Sequence, residues 1–288
     1  MLERIDSFTA LGIMGTGVVI GYGMREASRP VRPRRPTAGI VGLPAALDGF
    51  RILHVSDLHG RGYPADEDAL ARAIALDRPD VAVVTGDLLR RCNLEAGRPA
   101  VDLVCRLARL LPVYFCPGNH DYLADGSVAP MASLEAAGVT VLDNASAAGP
   151  EGTVFVGLGD PQTRRDDIDE AMRAMPPGFP IALAHSPAAF RRVITRDLPL
   201  LLCGHTHGGQ GAIPGFGALW VPGGGFLPEF DRGVFYREES TMVITSGVGT
   251  SGPPFRYFVP PEFLVITLRR VEVEGERHST DEFRPRKG

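Results

Sequence analysis

Short apolar runs recur along the chain, and each stops abruptly at a polar or glycine-rich turn. FRILHVSD (residues 50–57), DVAVVTGD (80–87), LPVYFCPGN (111–119), GTVFVGLGD (152–160), IALAHSP (181–187), LPLLLCGH (198–205) and TMVITSG (241–247) all follow this pattern. Their length and bounding turns predict short buried strands. Helix-like stretches lie between several of them, over 65–76, 99–110 and 128–137. Strand alternating with helix predicts an α/β architecture, and the absence of any repeat or second composition regime predicts one domain.

Two segments break this rhythm. Residues 211–233, GAIPGFGALWVPGGGFLPEFDRG, mix glycine, proline and aromatics with no helical or alternating period, and hold the sole tryptophan, Trp220. So long an irregular stretch reads either as a packed surface loop or as a lid over a site. Residues 9–24 carry no charge, yet they are glycine-rich and fall short of the roughly 20 apolar residues of a typical membrane span. A basic, proline-rich stretch, RPVRPRRP, follows at 29–36. The expected organisation is an N-terminal arm or marginal anchor with its linker over 1–35, one domain over 36–270 and a charged tail over 271–288. If the arm is an anchor, the excess of arginine after it places the domain on the cytoplasmic side.

Composition narrows the chemistry. A chain of 288 residues, 44% hydrophobic and 22% charged, can bury a sizeable core. Its formal charge of -4 argues against a general surface for a nucleic-acid backbone. No nucleic acid is expected, and no protein partner is implied. Lysine occurs only at Lys287 in the tail, which speaks against Walker-type phosphate binding, Schiff-base chemistry and lysine-bridged metal pairs. Cys92, Cys105, Cys116 and Cys203 show no metal-site spacing.

The polar residues that end the runs are the candidate chemistry. SDLHG supplies Asp57 and His59, TGDLL supplies Asp87, and PGNHD supplies Asn119, His120 and Asp121. LAHSP adds His185, and GHTHGG adds His205 and His207. Of the seven histidines, only His54 and His278 fall outside these motifs. In an extended segment His205 and His207 would point the same way, which suggests a cation between them. Taken singly, an Asp after a strand often merely caps the next helix. Together, at the carboxyl ends of strands where α/β folds keep their sites, they form a constellation.

In that order, Asp-x-His, Gly-Asp, Gly-Asn-His-Asp, a solitary His and Gly-His-x-His resemble the calcineurin-like metallophosphoesterase superfamily over about residues 50–268. LPAALDGFRILHVSDLH, GHTHGGQ and SGVGTSGPPFRYFVPPEF resemble its bacterial, often membrane-associated branch, some members of which cleave the pyrophosphate of UDP-diacylglucosamine in lipid A synthesis. The resemblance implies two packed mixed β-sheets flanked by helices, a four-layer αββα sandwich. It implies that Asp57, His59 and His207 bind one metal, that Asn119, His185 and His205 bind a second, and that Asp87 bridges them. His120 takes the place of an acid near the leaving oxygen, with Asp121 orienting its ring.

Two divalent ions less two carboxylates and a bridging hydroxide leave a net charge of about +1, suited to phosphate oxygens. Manganese, iron, zinc or cobalt fits such ligands better than calcium or magnesium. The expected function is hydrolysis of a phosphoester or pyrophosphate by the bridging hydroxide, on a phosphorylated small molecule or lipid. The rivals are a non-catalytic scaffold of the same fold and a metal-dependent amidohydrolase. Arg256 in GPPFRYF reads either as a two-pronged phosphate contact or as a loop cap. Phe216, Leu219, Trp220, Phe226 and Leu227 either receive an acyl chain or touch a bilayer, or else pack in the core. The expected location is the bacterial inner membrane through the N-terminus, with a soluble cytoplasmic form as the alternative.

Overall fold

The computed structural model describes residues 7–221 and 224–271, with side chains from residue 16. The charged tail beyond Val271, including His278, lies outside the described residues. Strands β1 (Arg32–Arg34), β2 (Thr37–Val41), β3 (Arg51–Val55), β4 (Val81–Thr85), β5 (Val113–Cys116) and β6 (Thr140–Val141) form one mixed sheet together with β17 (Glu262–Val271). Its order is β1-β17-β3-β4-β5-β6, with β2 also paired to β17. The second sheet runs β15-β16-β10-β9-β8-β7. Its strands are β7 (Ala145–Ala148), β8 (Thr153–Gly157), β9 (Phe179–Leu183), β10 (Leu200–Cys203), β15 (Gly233–Arg237) and β16 (Ser240–Ile244).

Neighbours β3-β4-β5 are parallel in the first sheet, as are β8-β9-β10-β16 in the second. Parallel neighbours need crossovers, and helices supply several of them. Helices α2 (Pro64–Asp77) and α3 (Leu94–Leu107) return the chain between β3, β4 and β5. Helix α4 (Met131–Ala136) precedes β6, while α5 (Ile168–Arg173) and α6 (Phe190–Thr195) serve the second sheet. The sheets pack face to face over Ile52, Val81, Val83, Tyr114, Phe155, Ile181, Leu183, Leu202 and Val243. Separate apolar clusters seat α2, α3 and α4 on the first sheet and α5 and α6 on the second. The result is the four-layer αββα arrangement.

The polar punctuation of the apolar runs thus marks strand ends, but some local expectations shift. Helix α3 starts at Leu94 rather than Pro99, because Asn93 Oδ1 accepts from the Ala96 N–H at 2.9 Å and begins the helix a full turn earlier. The proline-rich stretch after the arm forms β1 against β17, and Arg35 pairs with Asp77 at 2.9 Å. Helix α1 (Ser7–Ala27) leads into it. Among the described residues no helix is long and apolar enough to cross a membrane. Residues 211–233 hold two short hairpins, β11 (Ala212–Ile213) with β12 (Gly217–Ala218) and β13 (Trp220–Val221) with β14 (Gly225–Phe226). These pairings give backbone partners to a segment that has no apolar period.

The inter-sheet layer fixes the distance between the two sets of strand ends, so it should be sensitive to lost volume. Phe155 is fully buried and its ring stacks on Tyr114 at 4.2 Å. Phe155→Ala is expected to destabilise the protein by about 3–5 kcal/mol, seen as a lower urea midpoint with an unchanged slope.

Candidate metal centre

Five strand-end turns converge at one edge of the paired sheets. The turns after β3 and β4 are zipped by backbone bonds from Asp57 N–H to the Gly86 carbonyl (3.0 Å), His59 N–H to Asp87 (2.9 Å) and Gly60 N–H to Leu88 (2.8 Å). Such abrupt reversals force unusual backbone: Asp57, His59, Asp87, His205 and His207 all have positive φ, at 56°, 46°, 56°, 70° and 50°. Residues other than glycine in this region cost of order 1–3 kcal/mol each, and such strain gathers at functional sites. The turn after β5 can approach only because Gly118 lacks a side chain; a Cβ there would lie 2.3 Å from Asp87 Oδ1.

Three groups of three donors result; one is His59 with Asp87 and His120, and the other two are separate triads. In the first of these two triads, His207 Nε2 lies 3.4 Å from Asp57 Oδ1 and 3.2 Å from His59 Nε2. In the second, His185 Nε2 lies 3.2 Å from Asp87 Oδ2 and 3.1 Å from His205 Nδ1. Asp87 Oδ2 is also 3.6 Å from His59 Nε2, which places it between the triads. Donors at about 2.1 Å from one ion sit about 3.0–3.4 Å apart in octahedral or tetrahedral geometry, so these spacings fit a bound cation at each triad. His205 and His207 therefore do not point the same way. The chain turns at Thr206 rather than running extended, and each imidazole joins a different triad.

The free valences point the same way. His59 Nδ1–H faces the Leu89 carbonyl at 3.2 Å and His185 Nδ1–H faces the Thr85 carbonyl at 2.8 Å, which aims the His59 Nε2 lone pair inward and turns His185 Nε2 toward Asp87. Asp57 Oδ1 and Asn119 Oδ1 are buried with no hydrogen-bond partner. Orphaned acceptors of this kind call for a ligand.

Electrostatics separates the groups. Burial, with the charge of His185, lowers His205 to about 3. Burial also takes His59 down and His207 far down, so these three imidazoles are neutral and ready to ligate. His185 is the exception: burial would lower it, but the Asp87 carboxylate outweighs that and raises it well above the usual histidine range. Burial pushes Asp87 up as well, but the charge and hydrogen bond of His185 hold it below the usual carboxylate range. Burial raises Asp57.

The flanking residues divide differently from the sequence reading. His120 is half-buried, edge-on to His59 with ring centroids 5.3 Å apart, and its Nδ1 accepts from the Arg91 N–H at 3.2 Å. Asp121 does not bond that ring. Its carboxylate accepts from the backbone N–H groups of Asp87 (2.7 Å), Gly118 (2.9 Å) and Leu89 (3.0 Å), because the two turns leave those donors without ladder partners. Arg256 is fully buried and bonded to main-chain carbonyls, so it presents nothing to a phosphate. Gln162 belongs to none of the sequence motifs, although it follows GLGD at another strand end. Its side-chain amide lies 2.6 Å from His205 Nε2 and fixes that ring. His54 lies outside the centre, 2.8 Å from Thr85 Oγ1 and held neutral by burial.

Comparison with known proteins adds an independent finding. Residues 50–209 match the family model described as calcineurin-like phosphoesterase. A transmembrane protein with metallophosphoesterase domain from Bos taurus is 30% identical over 287 residues, covering 90% of this chain and 62% of that protein. The phosphodiesterase YaeI of Escherichia coli is 34% identical over 186 residues, 60% of this chain and 66% of its own length. This chain thus spans less than two thirds of either. The UDP-2,3-diacylglucosamine pyrophosphatase LpxG of Chlamydia muridarum is 24% identical over 285 residues, covering 77% and 84%.

Because the Asp87 carboxylate raises His185, that ring holds a proton at neutral pH that a cation must displace. Metal affinity should therefore strengthen as pH rises toward the raised value and weaken as pH falls. Manganese titrated calorimetrically at pH 7, in two buffers of different ionisation enthalpy, should show net proton release. A buffer-independent heat would contradict it.

Proposed function

The chain belongs to the calcineurin-like phosphoesterase family, and from that premise we propose that it is a dinuclear metal-dependent hydrolase of phosphodiester or pyrophosphate bonds. The observation that carries this reading is the pair of adjoining donor triads, with Asp87 a member of one and its Oδ2 3.6 Å from His59 Nε2 of the other. Asp57, His59 and His207 would hold one divalent ion, and His185, His205 and Asn119 the other. Bound there, the ions would supply positive charge for phosphoryl oxygens and lower the pKa of water held between them.

The chain's own groups have distinct tasks. Since the Arg91 N–H donates to His120 Nδ1, the proton of the neutral ring sits on Nε2. That tautomer can donate to a leaving oxygen, and His120 is the half-exposed histidine of the centre. Asp121 acts on the backbone instead, holding the β4 and β5 turns in register so that Asp87 and His120 keep their places. No side chain here needs to act as nucleophile.

The substrate reading is a phosphate-bearing molecule with an apolar portion. A cavity of about 490 Å³ adjoins the centre, sharing Gln162 and Thr206 with it and walled by Ser186, Phe190 and Phe230. Beside His207, the 211–233 segment leaves Phe216 68%, Trp220 48% and Phe226 84% exposed. Leu219 and Leu227 are exposed as well, so all five apolar residues stay out of the core. This rim favours an acyl-bearing substrate or a lipid surface, in line with a relative named for a diacylated nucleotide sugar. The amidohydrolase reading has no support in the family match. The scaffold reading is separated by assay.

With manganese supplied, the purified protein should hydrolyse bis(p-nitrophenyl) phosphate or a nucleotide-sugar lipid, and a chelator should stop it. Asp87→Ala should lose metal and nearly all turnover. His120→Ala should keep metal and lose roughly 10²–10⁴-fold in kcat, with the larger loss on the poorer leaving group. Metal loss in His120→Ala would overturn its role, and full metal occupancy without turnover on any ester would favour the scaffold. The double variant Trp220→Ser, Phe226→Ser should retain activity on the soluble diester while losing it on the acylated substrate.

A further inference from the structure

The loop after β16, residues 246–249, belongs to no strand, yet each of its backbone polar groups has a partner. The Ser246 N–H donates to Glu262 Oε1 (3.0 Å) and the Gly247 N–H to Thr245 Oγ1 (3.2 Å). The Val248 and Gly249 N–H groups donate to the carbonyls of Ser56 (3.1 Å) and Asp57 (2.7 Å). Its carbonyls are taken by two buried arginines. Arg256 donates to Ser246 (2.9 Å), Gly247 (3.1 Å) and Gly249, and also reaches Val259 (3.3 Å). Arg61 donates to Val248 at 3.2 Å.

This loop is the wall behind Asp57. Gly247 has φ +70°, and a Cβ there would lie 2.6 Å from Asp57 Cβ. On its other side Asp57 Oδ2 accepts from the His205 N–H at 3.0 Å, and Oδ1 is left facing His207. Any slack in the loop would let that carboxylate swing away from the first triad.

We propose that Arg256 and Arg61 are positioning residues, a two-armed clamp that sets the Asp57 carboxylate by gripping the 246–249 loop from both sides. The proposal rests on the metal-centre reading above. Burying a guanidinium is costly unless its donors are met. Here carbonyl dipoles meet both terminal nitrogens of Arg256, leaving Nε without a partner, and burial lowers it only to about 10, so it stays charged at neutral pH. The planar fork reaches several carbonyls at once, which a lysine ammonium on a flexible stem cannot do.

Arg61 is tied in turn. It pairs with both oxygens of Asp66 (2.8 and 2.9 Å) and donates to the carbonyls of Ala27 (2.9 Å) and Arg29 (2.6 Å). The Arg256 backbone N–H reaches the Gly23 carbonyl at 3.1 Å. The end of α1 and the segment after it are thus part of the clamp's footing.

The test uses full-length Arg256→Lys and Arg61→Lys. In metal-free protein, the 246–249 amides should exchange with solvent at least ten times faster than in the parent, while β4 and β10 amides keep their protection. On manganese titration, one of two equivalents should weaken by about 10–100-fold, as for other partners behind a ligand, with the second unchanged. Unchanged loop exchange and unchanged affinities in both variants would overturn the clamp. So would an equal loss of protection throughout the sheets, which would make the arginines general supports. Should Arg256→Lys fail to fold, Arg61→Lys alone decides, since among the loop's contacts it loosens only the one at Val248. If the parent itself binds no metal, the metal-centre reading fails, and the loop exchange still decides whether the arginines hold the loop.

Discussion

The nitrogens of His59 and His207 face each other across 3.2 Å, and those of His185 and His205 across 3.1 Å. Nitrogens this close in a buried pocket must have a proton or a cation between them, and the rings cannot simply turn away. Leu89, Thr85 and Gln162 hold three of them from behind. The rest of the fold depends on sustaining this convergence. Parallel strands in two stacked sheets deliver five turns to one edge, and the left-handed backbone at Asp57, His59, Asp87, His205 and His207 gives each side chain its direction. Stability stored in the apolar layer between the sheets offsets the strain of those turns.

How much of this was legible beforehand depends on range. Strand identity is local: LLLC and VAVVT are apolar over the length of a strand and are punctuated at once, so they announce both the element and the polar residues at its end. The ordered motifs name the triad residues for the same reason. What cannot be read locally is direction. His205 and His207 fit an extended pair by spacing, yet a turn at Thr206 sends them to separate triads. Gln162 was invisible because its partner, His205, is 43 residues away.

Asp121 and Arg256 show a second kind of illegibility. Each is a charged residue beside a motif, and each invites a role toward ligand or substrate. In the structure both are turned to the backbone. Tight turns outside the strand ladders leave N–H and carbonyl groups that must find partners when buried. A carboxylate that meets three N–H groups and a guanidinium that meets four carbonyls solve that problem in complementary ways. Composition cannot distinguish such a residue from one that faces a phosphate, because the chemistry of the side chain is the same and only its neighbours differ.

The two triads also differ in what holds their donors in place. In the second, the raised His185 and the depressed Asp87 form a buried ion pair at 3.2 Å, so a proton occupies the place of positive charge. Breaking such a pair would leave an uncompensated charge at a cost of several kcal/mol, about 3–5, which holds His185 and Asp87 in ligating position. The first triad has no such stand-in: Asp57 is pushed toward its neutral form by burial, and His59 and His207 are neutral. Its order must come from outside, through hydrogen bonds to backbone and the packing of the 246–249 loop. A place-holding proton on one side and a braced loop on the other are two solutions to one problem, keeping donors aimed at a point before any cation arrives.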